Sequence, residues 1–494
     1  MDANASETAP AQGSLKRSLT LGQLVFYGLV FIGPAAAVGI YGTLDAKSGG
    51  AVASVYVIAT LVMAFTASSY MRMSREIPRA GSVFAYAGAG IGPRAGYVSG
   101  WMILLDYLLI PSVAYMFTGI ALNSLFPAVP IWVFVAVAVV GTTALNLAGV
   151  RVASKVITAV VLLEVLVLLI VLVCGAYVLA TAGPERPWLS PFVGIGGFSL
   201  VAVLAAVSVA VLSFLGFDAL ATFAEETKGT VRLVGRATLI CLVVAGLLFV
   251  AQTYVGALLS STTPAQLAAD PSLEGAAYYV AVEESVGEWL HWLLALSKAA
   301  GAAFAAMVGQ GAGSRIIMDM ARERRLPHAL AHVSERTGVP VRSILITAAG
   351  NIVVAVWAAT RADGLDILSS IVNVGALTAF ILLHVSVIGY YLVRQKAAAR
   401  GTWFAHGVIP AVGAVLLVIV LASATELALL VGIVWFGVGL IVAFASHRNS
   451  RARGGVRPSA PGSPRGFRNH RGSGNAQTPP MKPVPPRTPR NRRQ

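Results

Sequence analysis

Long apolar segments recur along the whole chain and are separated by short polar connections. Twelve of them are long enough to cross a bilayer, which takes roughly 17–25 residues of helix. Backbone polar groups inside lipid need partners within the same segment, so such segments must be helical. The pattern predicts an all-α membrane protein with twelve transmembrane helices, at 21–44, 51–72, 95–126, 130–149, 154–181, 198–224, 235–259, 286–313, 340–360, 365–392, 407–423 and 426–446.

The connections between these segments alternate in charge. Lys and Arg residues gather in the even-numbered connections, whereas the odd-numbered connections are poor in both. Positive charge accumulates on the cytoplasmic side of membrane proteins. We therefore expect a multi-pass protein of the cell (cytoplasmic) membrane, surrounded by lipid, with both termini in the cytoplasm.

Composition agrees with this pattern and divides the chain. Only 12% of the 494 residues are charged and 57% are hydrophobic, whereas a soluble domain carries about 25% charged residues. Twelve of the positive charges behind the net charge of +15 lie in 447–494, which leaves +3 for the rest. We predict a cytoplasmic N-terminal segment, 1–19, a twelve-helix domain, 20–446, and a disordered basic Pro/Gly/Arg-rich tail, 447–494. The tail lacks interleaved aromatic residues, so no nucleic-acid partner is expected.

The first apolar segment contains an interruption, in FIGPAAAVGIYG. Pro34 has no amide hydrogen and its ring crowds the preceding turn, so the helix should break or kink there. Small residues beside it leave the backbone open to a ligand: Gly33, Ala35, Ala36 and Gly39. Close packing of helices through small residues is the alternative interpretation.

The sixth segment contains a second interruption, in SFLGFDALATFAEE. Gly216 lets the helix open, and Asp218 follows it inside an apolar run. A carboxylate within hydrocarbon costs roughly 2.5–3.5 kcal/mol on insertion scales, so it needs water, a partner or a substrate. Matching interruptions in two halves of a chain are typical of transporters built from inverted repeats. Asp218 could instead cap the helix that follows.

A second intramembrane carboxylate, Asp106, lies in WMILLDYLLIP. It could bind a substrate ammonium, pair with Lys298, or accept a hydrogen bond from a tyrosine. A diamine requires acidic and aromatic walls, for which the candidates are Asp106, Tyr107, Phe214, Phe217 and Asp218. An α-amino acid requires backbone N–H donors for its carboxylate, which GPAAAVG could supply. Both chemistries are present.

Four further charged residues are candidates for coupling and gating. Glu164, in the fifth segment, could take up and release a proton, or remain a neutral hydrogen-bonded acid. Lys298, in the eighth, could pair with a carboxylate or extend to the membrane surface. We assign both to proton coupling, with the proton as the expected coupling ion. Glu225 and Glu226, at the cytoplasmic end of the sixth segment, are assigned to gating.

Three stretches resemble the amino acid–polyamine–organocation superfamily of permeases: LVFYGLVFIGPAAAVGIYG, IPRAGSVFAYAGAGIGPRAGYVSGWMILLDYL and SFLGFDALATFAEETKGTVRLVGRA. The resemblance covers roughly 18–446. LLDYL and SFLGFDALATFAEET look most like bacterial putrescine importers, although GFDA…EE also occurs in cationic amino acid permeases. The resemblance implies a five-plus-five inverted repeat with discontinuous helices 1 and 6, two added helices, and a substrate held between the two breaks. Some proton-coupled relatives place a lysine near Glu164, so their coupling mechanism does not carry over directly.

The combined prediction is a secondary active transporter. We expect import of a small organic cation, putrescine or a related polyamine, by alternating access with proton coupling or exchange. The alternative is an amino acid permease for cationic or neutral amino acids. The chain contains no HExxH, no Cys/His cluster, no phosphate loop and no GxSxG at a candidate nucleophile, so no enzymatic activity, cofactor or metal is expected.

Overall fold

The computed structural model describes residues 20–77, 82–148, 153–218, 220, 232–322, 327–334, 337–395 and 403–452. All regular structure within these residues is helical. Nine of the helices described are long and apolar enough to cross a membrane, and shorter apolar helices occupy Leu200–Phe214 and Glu426–Val442. The chain divides into two units, Met1–Ala445 and Ser446–Gln494. The predicted N-terminal segment and most of the predicted tail lie outside the described residues.

The first half of the bundle contains the long helices that the apolar pattern predicts. Its first predicted segment, 21–44, is divided into two helices. A short helix also precedes the helix that corresponds to the third predicted segment. The elements are α1 Leu21–Ile32, α2 Ala36–Ser48, α3 Val52–Glu76, α4 Ser82–Gly90, α5 Pro93–Leu125, α6 Ile131–Ala148 and α7 Ala153–Thr181.

In the second half, the sixth predicted segment, 198–224, contains a described α-helix that is much shorter, Leu200–Ala210. Short helices also occupy the connections before the longest helix. The α-helices are α8 Ser190–Val193, α9 Leu200–Ala210, α10 Arg232–Leu259, α11 Pro264–Ala269, α12 Ala277–Ser285, α13 Glu288–Arg322, α14 Val341–Ala359, α15 Gly364–Ile388, α16 Ile409–Ala422 and α17 Glu426–Ala452. Two π-helical turns, Gly389–Arg394 and Phe404–Val408, flank the connection between α15 and α16.

Local sequence explains several of these boundaries. Thr20 and Gln23 form a capping box that begins α1, which satisfies amide groups that a first turn leaves without partners. Pro93 begins α5, where its missing amide hydrogen is not needed. Ser199 caps α9 by accepting a hydrogen bond from the Ala202 amide. These signals start each helix at the edge of its apolar run.

The centre of the bundle is formed by α5, which packs against α13 and α15, while α3 packs along α10. Glycines allow the closest of these approaches. A Cβ atom on Gly375 of α15 would lie 2.7 Å from the carbonyl oxygen of Met102 on α5. This crossing is one helical turn before Asp106, so it brings α15 against the part of α5 that carries the predicted substrate carboxylate.

One end of the bundle carries residues 182–199 and 260–287, and we call it the loop face. The end of α2 is bound there by four hydrogen bonds or ion pairs to these two segments. The Ile195 amide donates to the Gly49 carbonyl at 2.9 Å. Arg186 forms two contacts with Asp45, at 2.9 and 3.0 Å, and both side chains are buried. Thr43 donates to Glu274 at 2.6 Å.

Candidate functional site

The predicted break in the first span is present at Gly33–Ala35, between α1 and α2. Gly33 has a φ of +78°, a conformation that only glycine adopts readily. Pro34 follows it and cannot donate a backbone hydrogen bond. The Pro34 carbonyl accepts a 2.8 Å hydrogen bond from Nε2 of Gln252 on α10, whose side chain is fully buried. A side chain from another helix therefore satisfies a backbone group freed by the break.

The predicted break in the sixth span is also present. The α-helix ends at Ala210, continues as a 3₁₀ turn to Phe214, and reaches Gly216 at a φ of +104°. Asn373 on α15 donates through Nδ2 to the carbonyls of Ser208 and Val209, at 2.7 and 3.2 Å. As at the first break, a buried amide side chain stabilises the end of a half-helix.

The structure brings together three of the predicted site residues, Asp106, Tyr107 and Asp218. The Tyr107 hydroxyl donates to Oδ2 of Asp218 at 3.3 Å. Asp106 and Asp218 are 6% and 7% exposed, and their carboxyls are close enough to interact electrostatically. Oδ1 of Asp106 is buried without a hydrogen-bond partner among the described residues. Two acidic groups from different spans thus meet beside the second break, where negative charge requires a cation or a proton.

The two predicted aromatic wall residues are fully buried and face different neighbours. The Phe214 ring packs against Tyr56 and Phe249, with centroids 6.3 and 5.2 Å away. The Phe217 ring packs against Tyr70 and Phe380, at 5.5 and 5.8 Å. Phe217 also lines a small cavity that Asp218 shares, together with Tyr70, Met71, Ser74, Val234, Gly235 and Thr238. Of the two rings, Phe217 is the one adjacent to an acidic cavity.

The small residues of the first break differ in their surroundings. A Cβ atom on Gly33 would meet no atom within 4 Å, so this position is open. A Cβ atom on Gly39 would lie 2.7 Å from the ring of Phe117 on α5, so Gly39 packs two helices together, as the alternative interpretation has it. Ala35 is buried and Ala36 is partly buried.

The predicted coupling residues form an ion pair with each other. Nζ of Lys298 on α13 lies 3.6 Å from Oε1 of Glu164 on α7, and both are buried. The pair of Lys298 with Asp106 that the sequence also allowed is therefore not formed. The Lys298 ammonium also lies 5.2 Å from the centroid of the Phe117 ring. Phe117 thus contacts both this pair and Gly39 on α2.

Glu225 and Glu226, assigned to gating, lie outside the described residues. Three residues with a place at the site were not predicted: Gln252, Asn373 and Phe117. The first two are amides within apolar runs, FVAQTYV and SSIVNVGA, a signal that sequence reasoning could have used. Phe117 resembles any other apolar residue of its helix, and only the packing reveals its two contacts. Among the described residues, no three His, Cys, Asp or Glu side chains gather to hold a metal ion.

Several known transporters are similar to this chain over most of its length. PlaP of Escherichia coli K12, a low-affinity putrescine importer, is 27% identical over 86% of this chain and 93% of its own length. BcaP of Bacillus subtilis, a branched-chain amino acid permease, is 26% identical over 88% and 94%. The vacuolar cationic amino acid transporter 4 of Arabidopsis thaliana is 29% identical over 76% and 63%. Residues 21–449 match the amino acid permease family. The chain belongs to this family and is a multi-pass membrane transporter.

Proposed function

We propose that the chain imports a small organic cation, putrescine or a related polyamine, across the cell membrane. The observation that carries the proposal is the pair of buried acidic groups, Asp106 and Asp218, beside a broken helix. Two buried negative charges repel each other, and a buried charge left without a partner of opposite sign typically costs about 3–5 kcal/mol. A substrate with two ammonium groups supplies the missing positive charge.

The hydrogen-bonding groups of Asp106, Tyr107 and Asp218 suit a diamine. The carboxyl oxygen Oδ1 of Asp106 has no partner among the described residues, so it can accept a hydrogen bond from one ammonium group. Tyr107 already donates to one oxygen of Asp218, and a carboxylate can accept additional hydrogen bonds. The relative PlaP, which is named a putrescine importer, supports the same substrate class.

An amino acid is the second candidate substrate, because of the structure at the start of α2. No described side chain caps this helix, and the N-terminus of a helix attracts negative groups such as a carboxylate. Gly33 leaves open space beside it. The relative BcaP, named for branched-chain amino acids, supports this alternative. A cationic amino acid would bind through its carboxylate at the start of α2 and through its side-chain cation at Asp106 and Asp218.

A five-plus-five inverted repeat with twelve spans accounts for the way the two breaks are supported. Gln252 on α10 binds the first break, and Tyr56 on α3 binds Ser213 at the second, with 2.8 Å between their hydroxyl oxygens. In a repeat of helices 1–5 and 6–10, α3 corresponds to α10 and the first break to the second. The two contacts are therefore exchanged by the proposed symmetry. Such a repeat transports by alternating access around a fixed site.

The Glu164–Lys298 pair is proposed as the coupling element, with the proton as coupling ion or with exchange of substrates. When Glu164 binds a proton, its attraction to Lys298 is lost. The Phe117 ring contacts both the Lys298 ammonium and the α2 backbone at Gly39, which gives a physical route from protonation to α2.

We propose that the loop face is outside the cell, that both termini are cytoplasmic, and that the apolar surface contacts lipid.

Uptake by the full-length chain in proteoliposomes tests the proposed function. We expect labelled putrescine to accumulate when the outside is acidic and the inside is near neutral, and accumulation to collapse when a protonophore removes the gradient. Unlabelled polyamines should compete. Uptake of labelled neutral amino acids that excess putrescine does not reduce would contradict the proposed substrate and favour the second candidate.

A further inference from the structure

A second group of charged side chains lies at the loop face, between α2, the segment before α12, and α15. Nζ of Lys47 lies 3.0 Å from Oδ2 of Asp366. Glu274 accepts a hydrogen bond from Thr43 and interacts electrostatically with both Lys47 and Asp366. We call Lys47, Glu274 and Asp366 the end cluster. It contains two carboxyl groups and one ammonium group.

The neighbouring cations at the loop face are already engaged by other carboxylates. Arg186 forms its two contacts with Asp45, and Arg361 forms two hydrogen bonds with Asp363, at 2.9 and 3.1 Å. The end cluster therefore carries one more acidic group than its described basic partners balance. Burial is the main cause that raises the pKa of Glu274 above the usual value for glutamate, although the Thr43 hydrogen bond opposes the rise.

Unpartnered polar atoms continue from the end cluster along one face of α15. Asp366, Ser369, Ser370 and Asn373 are separated by three or four residues, and such residues lie on the same side of a helix. Each has a buried oxygen with no hydrogen-bond partner among the described residues: Oδ1 of Asp366, Oγ of Ser369, Oγ of Ser370 and Oδ1 of Asn373. Ser369, Ser370 and Asn373 are all 0% exposed. Buried polar atoms in native proteins nearly always have a partner.

We propose that the end cluster and this face of α15 form a second binding site, for a primary ammonium group, on the access path to Asp106 and Asp218. The proposal rests on the proposed function, since it assumes that the same class of cation travels inward. Oδ2 of Asp366 holds Lys47, whereas Oδ1 is unpartnered, so an ammonium can bind without displacing the lysine. Its three N–H donors match Asp366 Oδ1 and the two serine hydroxyls.

The position of Asn373 connects this second site with the central one. Its Nδ2 group donates to the carbonyls at the end of α9, and its unpartnered Oδ1 completes the row of oxygens that begins at Asp366. The row therefore extends from the loop face to the break in the sixth span. A cation that leaves Asp366 meets the serine and asparagine oxygens before it reaches the carboxylates.

Equilibrium binding of labelled ethylamine, which has a single ammonium group, to the purified full chain in lipid nanodiscs tests the proposal. We expect two binding sites per wild-type chain. Asp366→Asn should remove one of them and Asp106→Asn the other. Asp363→Asn, which removes an equivalent carboxylate beside the same end of α15, should retain both. Lys47→Met should tighten binding at the second site about tenfold, since the repulsion between the Lys47 ammonium and the bound ammonium is removed.

The possible results separate this proposal from the proposed function. Two sites that persist in Asp366→Asn, or an affinity that Lys47→Met does not increase, would overturn the second site. If Asp366→Asn does not fold, the double variant Ser369→Ala/Ser370→Ala is expected to weaken this site about tenfold, and an unchanged affinity would overturn it equally. If the wild-type chain binds ethylamine at one site only, and Asp366→Asn removes that site, the result would contradict the proposed function and leave the second site supported.

Discussion

Among single residues, Asp106 differs from Asp45, Glu164 and Asp218 because its Oδ1 atom is buried with neither a hydrogen bond nor an ion pair among the described residues. Asp45 is paired with Arg186 and Glu164 with Lys298. Asp218 accepts a hydrogen bond from Tyr107. A buried carboxylate oxygen without a partner is a stability cost unless a ligand uses it. Asp106 is therefore the residue whose role depends most on the substrate.

The first prediction concerns Asp106→Asn. We expect the variant to fold, because the side-chain volume is nearly unchanged and a negative charge is removed from an apolar site. Putrescine uptake in proteoliposomes should fall at least tenfold in Vmax/KM, since one charge-assisted hydrogen bond is lost. Asp363→Asn, an exposed carboxylate, is the control and should transport normally. Uptake by Asp106→Asn within about twofold of the wild type would contradict the substrate role.

A second prediction concerns the pH dependence of Glu274. Burial raises the pKa of this carboxyl, so it takes up a proton at a higher pH than an ordinary glutamate does. The charged groups that face it are Asp366 on α15 and Lys47 on α2. As the pH falls, Glu274 loses its negative charge, and the end cluster should bind cations more weakly.

Ethylamine binding to the Asp106→Asn variant measures this effect, because only the proposed second site remains there. We expect the affinity to decrease as the pH falls, with a midpoint above the pKa of about 4.3 that an ordinary glutamate has. Adding Glu274→Gln should flatten the profile, since that side chain is already uncharged. A decrease of the same size with Glu274→Gln would assign the titration to another group.

Sequence reasoning identified the acidic residues of the proposed site but not all of their partners. Asp106 and Asp218 are evident because a carboxylate in an apolar run is rare. That Tyr107 donates to Asp218 rather than to Asp106 depends on the rotation of α5 about its axis, which apolar patterning does not define when a helix is buried on most sides. For the same reason, the sequence did not predict that Phe214 and Phe217 contact different aromatic neighbours.

At the scale of helices, the apolar pattern predicted where the helices and their breaks lie better than it predicted how long each helix is. Pro34 and Gly216 identified both breaks, because these residues act on the backbone itself. The eighth segment was predicted to end at residue 313, but α13 continues to Arg322. Hydrophobicity marks the part of a helix that is in lipid, whereas a helix can extend beyond the membrane with polar residues.

The third prediction concerns the ion pair between α7 and α13. Lys298→Met leaves Glu164 buried without its cation, which typically costs about 3–5 kcal/mol. We expect a lower Tm for Lys298→Met and for Glu164→Leu than for the wild type. The double variant should recover most of the loss, because no buried charge remains. A double variant less stable than both single variants would show that each residue is stabilised by other contacts.

The fourth prediction concerns the packing of α2 at the loop face. A Cβ atom on Gly42 would overlap the backbone carbonyl of Glu274, which cannot move as a side chain can. Gly42→Ala should therefore lower the free energy of unfolding by about 1–3 kcal/mol and reduce uptake. Gly22→Ala is the matched control, because its Cβ would meet no atom within 4 Å. Equal Tm values for the two variants would contradict the close approach of α2.

At the scale of the whole molecule, contacts between residues far apart in sequence define the arrangement. Arg186 and Asp45 are 141 positions apart, and Gln252 and Pro34 are 218 apart. The sequence suggested that the two breaks face each other, through the resemblance to a family of permeases. Gln252 and Asn373 are visible as amides within apolar runs. The sequence does not indicate which break each of them supports, because a side chain that satisfies a free carbonyl can come from any neighbouring helix.

The fifth prediction concerns orientation in the membrane. A single cysteine is introduced after Cys174 and Cys241 are replaced by alanine. With Ser272→Cys at the loop face, we expect intact cells to react with a membrane-impermeant maleimide. With Gln395→Cys, after α15, labelling should require permeabilised cells; both positions are exposed. The reverse pattern would invert the proposed topology.

The buried contact between Arg186 and Asp45 has a mechanical consequence for α2. Ala36 and Asp45 are nine residues apart, which corresponds to about 13 Å along a helix axis. If Arg186 fixes the Asp45 end, a tilt of about ten degrees displaces the Ala36 end by roughly 2 Å, given that rise per residue. That is comparable to the radius of a water molecule. A small rotation about a pivot fixed at the loop face would therefore be enough to wet or dry the region next to Pro34, while the loop face itself hardly changes.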